Sequence, residues 1–484
     1  MRTARRGRNG FAILRAALAL CFLTLLISPI VRDPSKGWPL GPARRAVAGL
    51  ALLTLGVYGI RWRRTPSTIG CHPLDLLLIG VLPYYALVIG NGGILTSGDN
   101  QATRAIGVAV VQHHSLDVSS YPPFDRYRDH YSIVETGGRW LPRFPLGTGL
   151  LSVPYAAVAL SVTPEPITDL LLRRWERHFS ALLGCTAVVL FFLAVRQRVA
   201  LRGAARATAV FAMATTVLSS VSQAMWSTSG EVCCLTLAMY LLFGDVPRPA
   251  WRSVGAGISL AAAFACRPTA VALAVMFMAV AAYEDRRSAV PLVLASAFGV
   301  GAVCLLQLQL YGNVLGGYGL MNVQSGLWKG VPLRGLAGNL LSPSRGLLVF
   351  FPYAIFLPLG LKRSAATGLR HWWMASASAV VFVLAASSFY GKWWGGASLG
   401  PRLLTEAAPF MALLTLPLIG SDERFRGWRA AFWATVAFAA ATQVLLIYNP
   451  AANRWTGEAE VDSSPARLWS IRDSQLAAAW GFTR

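Results

Sequence analysis

The feature that most constrains this chain is a succession of apolar runs about as long as a bilayer is thick, separated by short arginine-bearing connections. Residues 11–31 and 372–389 are two of them, and a helix needs about 20 such residues to cross a hydrocarbon core. Only 13% of the 484 residues are charged and the mean hydropathy is +0.50, against roughly a quarter charged in an ordinary soluble domain. A water-soluble fold of this size is close to excluded, and the fold class expected is an all-α polytopic membrane protein. The charge is one-sided: 44 Lys and Arg against 21 Asp and Glu leave a net +23, nearly all of it arginine. In a soluble protein that excess points to nucleic acid. In a membrane protein, anionic headgroups, topology signals and phosphorylated substrates compete for it, and no nucleic-acid partner is expected.

Sidedness follows from where arginine collects, because short basic loops are retained in the cytoplasm. With the N-terminus inside, spans near residues 11–31, 46–60 and 73–95 place Arg61-Trp62-Arg63-Arg64 inside and the polar stretch 96–145 outside. The first ten residues carry four arginines, like the start of a secretory signal. The run behind them is too long and lacks a small-x-small site, so an uncleaved first span is expected. A full crossing by residues 146–162 would put Arg196, Arg198, Arg202 and Arg206 outside. A re-entrant or interfacial helix there instead brings that loop, Arg286-Arg287, Lys362-Arg363 and Arg424/Arg426/Arg429 inside together. Gly147, Gly149 and Pro154 fit such an irregular segment. The expectation is about 13 transmembrane helices, the later ones near 177–195, 207–225, 231–244, 253–266, 268–283, 289–310, 346–361, 371–389, 403–420 and 428–448. Re-entrant or interfacial helices then lie on the extracytoplasmic face, and the tail 449–484 lies outside.

The outward loops hold the aromatic and charged residues that topology does not explain, and the loop 96–145, about fifty residues long, is of a length that is usually functional. Its sharpest string is Ser97-Gly98-Asp99-Asn100-Gln101-Ala102-Thr103-Arg104. A carboxylate at a membrane boundary can serve as general base toward a hydroxyl or amine, with the nearby amides and Arg104 to orient it. The competing reading is an Asp capping the helix that follows. Further on, His113-His114, Asp117, Asp125, Asp129, His130 and Glu135 match no zinc spacing. A solvated loop is the better reading, and no metal or other cofactor is expected. The seven cysteines are scattered and odd in number, so they read as packing residues.

Arg143 stands beside a Gly/Pro turn, where a guanidinium can take a lipid phosphate through two hydrogen bonds or merely pair with ordinary headgroups. Glu231 opens an apolar run after Trp226-Ser227-Thr228-Ser229-Gly230, as an acid or as a favourable charge at a helix N-terminus. Arg267-Pro268 lies between two short apolar runs, and a cation at membrane depth is a functional-site hypothesis by default. In Lys392-Trp393-Trp394-Gly395-Gly396 through Gly400-Pro401-Arg402, the tryptophans suit either an interfacial anchor or the face of a sugar ring.

Taken in order, seven strings make a resemblance: Ser97 to Arg104, Phe144-Pro145-Leu146-Gly147, Trp226, Arg267-Pro268-Thr269, Tyr311-Gly312-Asn313 with Gly316-Gly317-Tyr318, Ser342-Pro343-Ser344-Arg345-Gly346-Leu347, and Trp393 to Arg402. From about residue 73 to 420 the chain resembles the bacterial branch of the GT-C membrane glycosyltransferases, the protein mannosyltransferase and aminoarabinose transferase group. The resemblance implies inverting transfer of a sugar from a polyprenyl-phosphate donor to an extracytoplasmic acceptor that is a glycan, lipid or protein, in the plasma or inner membrane. Carried over by position, Asp99 becomes the catalytic base, and Arg143, Arg345 and Arg402 are candidates for the donor phosphate. Glu231 is then a second acid, with Arg104, Arg267, Tyr318, Trp393 and Trp394 as further substrate contacts. A phosphate leaving group lessens the need for a divalent metal. Relatives often show Gln-His-Gly after the Trp, whereas this chain has Ser-Thr-Ser-Gly-Glu. On this division, residues 1–72 are a cytoplasmic tail and two additional spans, 73–420 the catalytic core, and 421–484 the last span and its external tail. The alternative is a transporter or lipid flippase, which predicts polar groups near the midplane of several helices and openings on both faces.

Overall fold

The computed structural model describes residues 80–91, 97–125, 130–163, 166–326, 328–363, 368–419, 426–457 and 461–482. The spans expected at 11–31 and 46–60, the loop at 61–64, Arg424 and all but 80–91 of the span expected at 73–95 lie outside the described residues.

The chain is predominantly helical. Helices α1 (Leu82–Gly90) and α2 (Asn100–His113) precede an antiparallel hairpin, β1 (Ile133–Thr136) and β2 (Arg139–Pro142), in which Ile133 faces Pro142. Gly137 and Gly138 turn it with φ of 58° and 73°, the left-handed pair that a two-residue hairpin turn needs. Part of the expected solvated loop is therefore ordered strand, a small exception to an all-α chain. Then come α3 (Gly147–Leu151), α4 (Val153–Val162), α5 (Asp169–Arg196), α6 (Leu201–Met213), α7 (Ser227–Leu242), α8 (Ala250–Cys266), α9 (Ala270–Glu284) and α10 (Arg286–Tyr311). Beyond them lie α11 (Gly316–Ser325), α12 (Pro332–Leu341), α13 (Leu347–Phe350), α14 (Leu357–Arg363), α15 (Arg370–Phe389), α16 (Ala408–Ile419), α17 (Arg426–Tyr448), α18 (Pro450–Gly457) and α19 (Gln475–Ala479).

Among the described residues, five helical stretches are long and apolar enough to cross a membrane: α5, α10, α15, the Arg402–Ile419 stretch that ends in α16, and α17. Helices α4, α7, α8 and α9 are apolar but shorter; at 1.5 Å per residue each falls short of a hydrocarbon core about 30 Å thick. On α10, Leu294, Phe298 and Leu305 are exposed apolar side chains, as a lipid-facing surface requires. Two expected spans are not single helices. The run at 207–225 starts earlier, as α6, and breaks after Met213, with a π turn at Val217–Val221. Hydroxyls compete for its backbone: Thr215 Oγ1 donates to Phe211 O at 2.6 Å and accepts from Val217 N at 3.2 Å. Arg202 and Arg206 consequently sit on α6 and not in a loop. The run at 346–361 divides into α13, a 3-10 turn at Pro352–Phe356, and α14, because Pro352 and Pro358 have no N–H to continue a helix.

Four helices have one end at a cavity and the other near a basic cluster. Helix α7 begins beside Trp226, α8 ends at Arg267, α9 begins after Thr269, and α15 ends before Tyr390; all four of these residues line the cavity. At their far ends Glu284 accepts from Arg198 (2.9 Å), Arg248, His371 Nε2 (2.7 Å) and Trp372 Nε1 (3.1 Å). The expected irregular segment at 146–162 breaks at Ser152, with Pro154 in the first turn of α4. It begins just after Pro145 in the cavity wall, and the chain that follows it reaches Asp169, which pairs with Arg104 near the start of α2. The segment thus starts and finishes at the same end of the bundle. Gly147 makes its approach possible, because a Cβ there would lie 2.3 Å from the backbone nitrogen of Cys266.

Candidate active site

At the cavity end, loops from distant parts of the sequence enclose a space of about 740 Å³. Asp99 occupies the N-cap position of α2, yet its side chain makes no capping bond. Its carboxylate accepts instead from Tyr131 Oη (2.9 Å, at Oδ1) and Arg402 Nη1 (3.1 Å, at Oδ2). The helix start is satisfied by backbone, with Asn100 N donating to Ser97 O and Gln101 N to Gly98 O. The carboxylate is thereby left for other work. Asp99 keeps 24% of its side-chain exposure and Arg402 keeps 14%, so the pair borders the cavity and is not sealed inside protein.

Arg402 is held on three sides. Its guanidinium lies 3.9 Å over the centre of the Trp226 ring, Nη2 donates to Gly395 O at 2.7 Å, and Nη1 meets Asp99. Gly395 and Gly396 take φ of 74° and 65°, a left-handed turn that L side chains rarely adopt. Arg143, at the end of β2, also lines the cavity. Its backbone N donates to Ser132 O at 2.8 Å, while no ion pair or hydrogen bond engages its guanidinium among the described residues. Lys392 pairs with Asp462, and Trp394 Nε1 donates to the same carboxylate at 2.8 Å.

The cavity floor carries a second acidic group. Arg267 Nη1 meets Glu406 Oε1 at 2.6 Å, and Thr269 Oγ1 lies 3.2 Å from both oxygens of Glu406. Glu231, fully buried on α7, sits against Glu406 and Arg267, and among the described residues no N–H or hydroxyl donor reaches either of its oxygens. Tyr318 lines the cavity near this group.

Four of the expected contacts are elsewhere. Arg104 is one turn inside α2, its side chain 1% exposed, bonded to Asp169 (2.5 Å) and 3.6 Å from Glu176. Glu176 in turn accepts from Met225 N at 3.1 Å, next to Trp226; Arg104 therefore braces the site and does not line it. Arg345 is completely buried. Its donors are spent on neutral oxygens: Trp394 O (2.9 Å), Ser344 O (2.7 Å), Gln475 Oε1 (2.5 Å) and Gly396 O (3.3 Å). Burial, then the like charge of Arg402, push its pKa down to about 9, which still leaves a cation at neutral pH. Trp393 packs with Trp455, Val461, Leu468 and Ala478, and Trp394 turns its N–H to Asp462. The tryptophan pair therefore faces the C-terminal tail and not the cavity.

That tail is the part the sequence conceals. It folds back as α18 and α19, and Gln475 ties Arg345, Gly400 N (2.8 Å), Ser398 O (3.0 Å) and Ala452 O (3.1 Å) together. Arg467 donates to Asp473 at 2.7 Å and holds that carboxyl below its usual range. Thr456, Val461 and Asp462 complete the cavity wall. Tyr131 and Glu406 also escape a reading of the sequence. Glu406 carries a signal, an acid at the head of an apolar run; Tyr131 and Asp462 carry none, since only tertiary folding brings them near Asp99 and Lys392. Comparison of the chain with protein-family models, with curated proteins and with solved structures finds no match in any of the three.

Proposed function

We propose that the chain is an inverting membrane glycosyltransferase that uses a polyprenyl-phosphate sugar. The observation that carries this reading is convergence. Six of the seven strings behind the resemblance, all but Ser342 to Leu347, contribute residues to one cavity. There the Asp99 carboxylate stands with Arg143, Arg267, Lys392 and Arg402. In the reaction, an acceptor hydroxyl or amine attacks the anomeric carbon from the face opposite the phosphate, and Asp99 takes its proton. The new bond to the anomeric carbon forms as the bond to the phosphate oxygen breaks, and that oxygen leaves with the electron pair. Charge therefore grows on the phosphate, where fixed cations stabilise the transition state more than the ground state.

The membrane arrangement follows the same reading. Arg196, Arg198, Arg248, Arg252, Arg286 and Arg287 belong to the end opposite the cavity, which makes that end cytoplasmic by the positive-inside rule. The cavity then opens to the extracytoplasmic side, with α3 and α4 re-entrant and about 13 spans in all, the first of them before residue 80. The donor reaches it from the lipid phase and the acceptor from outside; membrane lipids are the remaining partners. The test is Asp99→Ala in protein shown to be folded and membrane-inserted. Loss of sugar transfer and of polyprenyl phosphate release is expected, and turnover at the wild-type rate would overturn the assignment.

A further inference from the structure

Two functions are asked of one guanidinium. Arg402 is the cation nearest the proposed base, bonded to Asp99 Oδ2 at 3.1 Å. It is also one of the cations expected to receive the donor phosphate. Its other anchors are neutral, the Trp226 face and the Gly395 carbonyl, and they fix the guanidinium plane whichever anion occupies the remaining edge. While Arg402 Nη1 stands on Oδ2, that oxygen is turned to protein and not to an incoming hydroxyl or amine. Arg143 lines the same cavity with no partner for its guanidinium among the described residues, so a phosphate bound there has a second cation beside the paired one.

We propose that Asp99 and the donor's phosphate monoester compete for Arg402, so that donor binding releases the base. The inference rests on the glycosyl-transfer reading and adds an order to it: the donor binds first, and the acceptor is activated only afterwards. When the phosphate takes the Arg402 edge, Asp99 keeps the Tyr131 hydroxyl on Oδ1, which holds the carboxylate in orientation, while Oδ2 becomes free to accept the acceptor's proton. Without donor, the base stays paired and idle.

The consequence is counter-intuitive: removing the catalytic carboxylate tightens the donor site. The experiment measures binding of a short-chain prenyl monophosphate to the detergent-purified full chain by calorimetry, for wild type, Asp99→Asn, Arg402→Gln and the double variant. Thermal unfolding of each establishes that it is folded, with Asp99→Ala as a second variant should Asp99→Asn not be. Competition predicts that Asp99→Asn binds about tenfold tighter than wild type, and that the gain disappears in the Arg402→Gln background. A gain that persists without Arg402 overturns the proposal, because it reflects only the general loss of a negative charge. Equal binding by wild type and Asp99→Asn, with weaker binding by Arg402→Gln, overturns the competition but leaves the phosphate reading intact. Unchanged binding in all the variants removes the phosphate reading itself. Repeating the titration with phosphatidylglycerol in mixed micelles separates the sources of phosphate: the same tenfold gain with that diester would make the ligand an ordinary headgroup and overturn the donor assignment.

Discussion

The two ends of the bundle are built from similar parts and put them to different use. At one end Glu284, 5% exposed, accepts from two arginines, a histidine and a tryptophan. From the end of α9 it ties the connections after α5 and α7 to the start of α15. At the other end Asp99 accepts from one arginine and one tyrosine, stays 24% exposed, and borders about 740 Å³ of open space. A carboxylate whose lone pairs are all taken by protein donors is a fastener. One with spare capacity beside a cavity can do chemistry. Saturation, more than residue type, distinguishes the structural end from the end proposed to react, and the distinction can be attacked from both sides.

The largest effect is expected at the fastened end. Glu284→Ala leaves Arg248 and Arg198 without their counter-charge, and breaking a buried pair from one side costs about 3–5 kcal/mol. Thermal unfolding in detergent should show a strong loss of stability, while protein that survives keeps the donor KM of wild type. A shift in KM with no loss of stability would erase the comparison. At the reactive end Arg402→Gln should do the reverse, lowering kcat by about 10²–10³, the usual cost of one oriented transition-state donor, with a smaller change in unfolding temperature. Arg143→Ala follows. Because its guanidinium serves no structural partner among the described residues, its loss should raise the donor KM about tenfold or more, the worth of one hydrogen bond to a charged group, and leave stability alone. Tyr131→Phe is the mildest: a single bond to Asp99, about 1 kcal/mol, should cost roughly a fivefold drop in turnover, measured under saturating donor.

The helical character and the two-ended arrangement are legible in the apolar runs and the clustering of arginine, because both follow from transfer free energy and charge retention. Asp99, Arg143, Arg267 and Arg402 are legible for the same reason: each is a polar group at the edge of an apolar run, whereas Tyr318 enters only through the resemblance. Arg345 and Arg104 carry that signal too, yet both are buried among protein acceptors. Sequence reports that a cation is held at depth but not whether a ligand or a backbone carbonyl satisfies it. The breaks at Ala214 and Phe351 depend on local hydroxyl and proline chemistry that a hydropathy window averages away. Glu231 is the sharpest remaining contrast with Asp99. It is an acid placed by the same reasoning, yet fully buried behind Glu406 and, among the described residues, without a donor on its oxygens.

The central claim is that Asp99 activates the acceptor while the surrounding cations hold a lipid-linked phosphate. Mass spectrometry of the lipid recovered with purified protein, before and after incubation with an extract of candidate glycan, lipid and protein acceptors, tests both halves at once. A polyprenyl-phosphate sugar should accompany wild type and Asp99→Asn alike, and only wild type should convert it to polyprenyl phosphate. Conversion by Asp99→Asn at the wild-type rate, or a recovered lipid pool with no phosphate-linked sugar, would contradict the account.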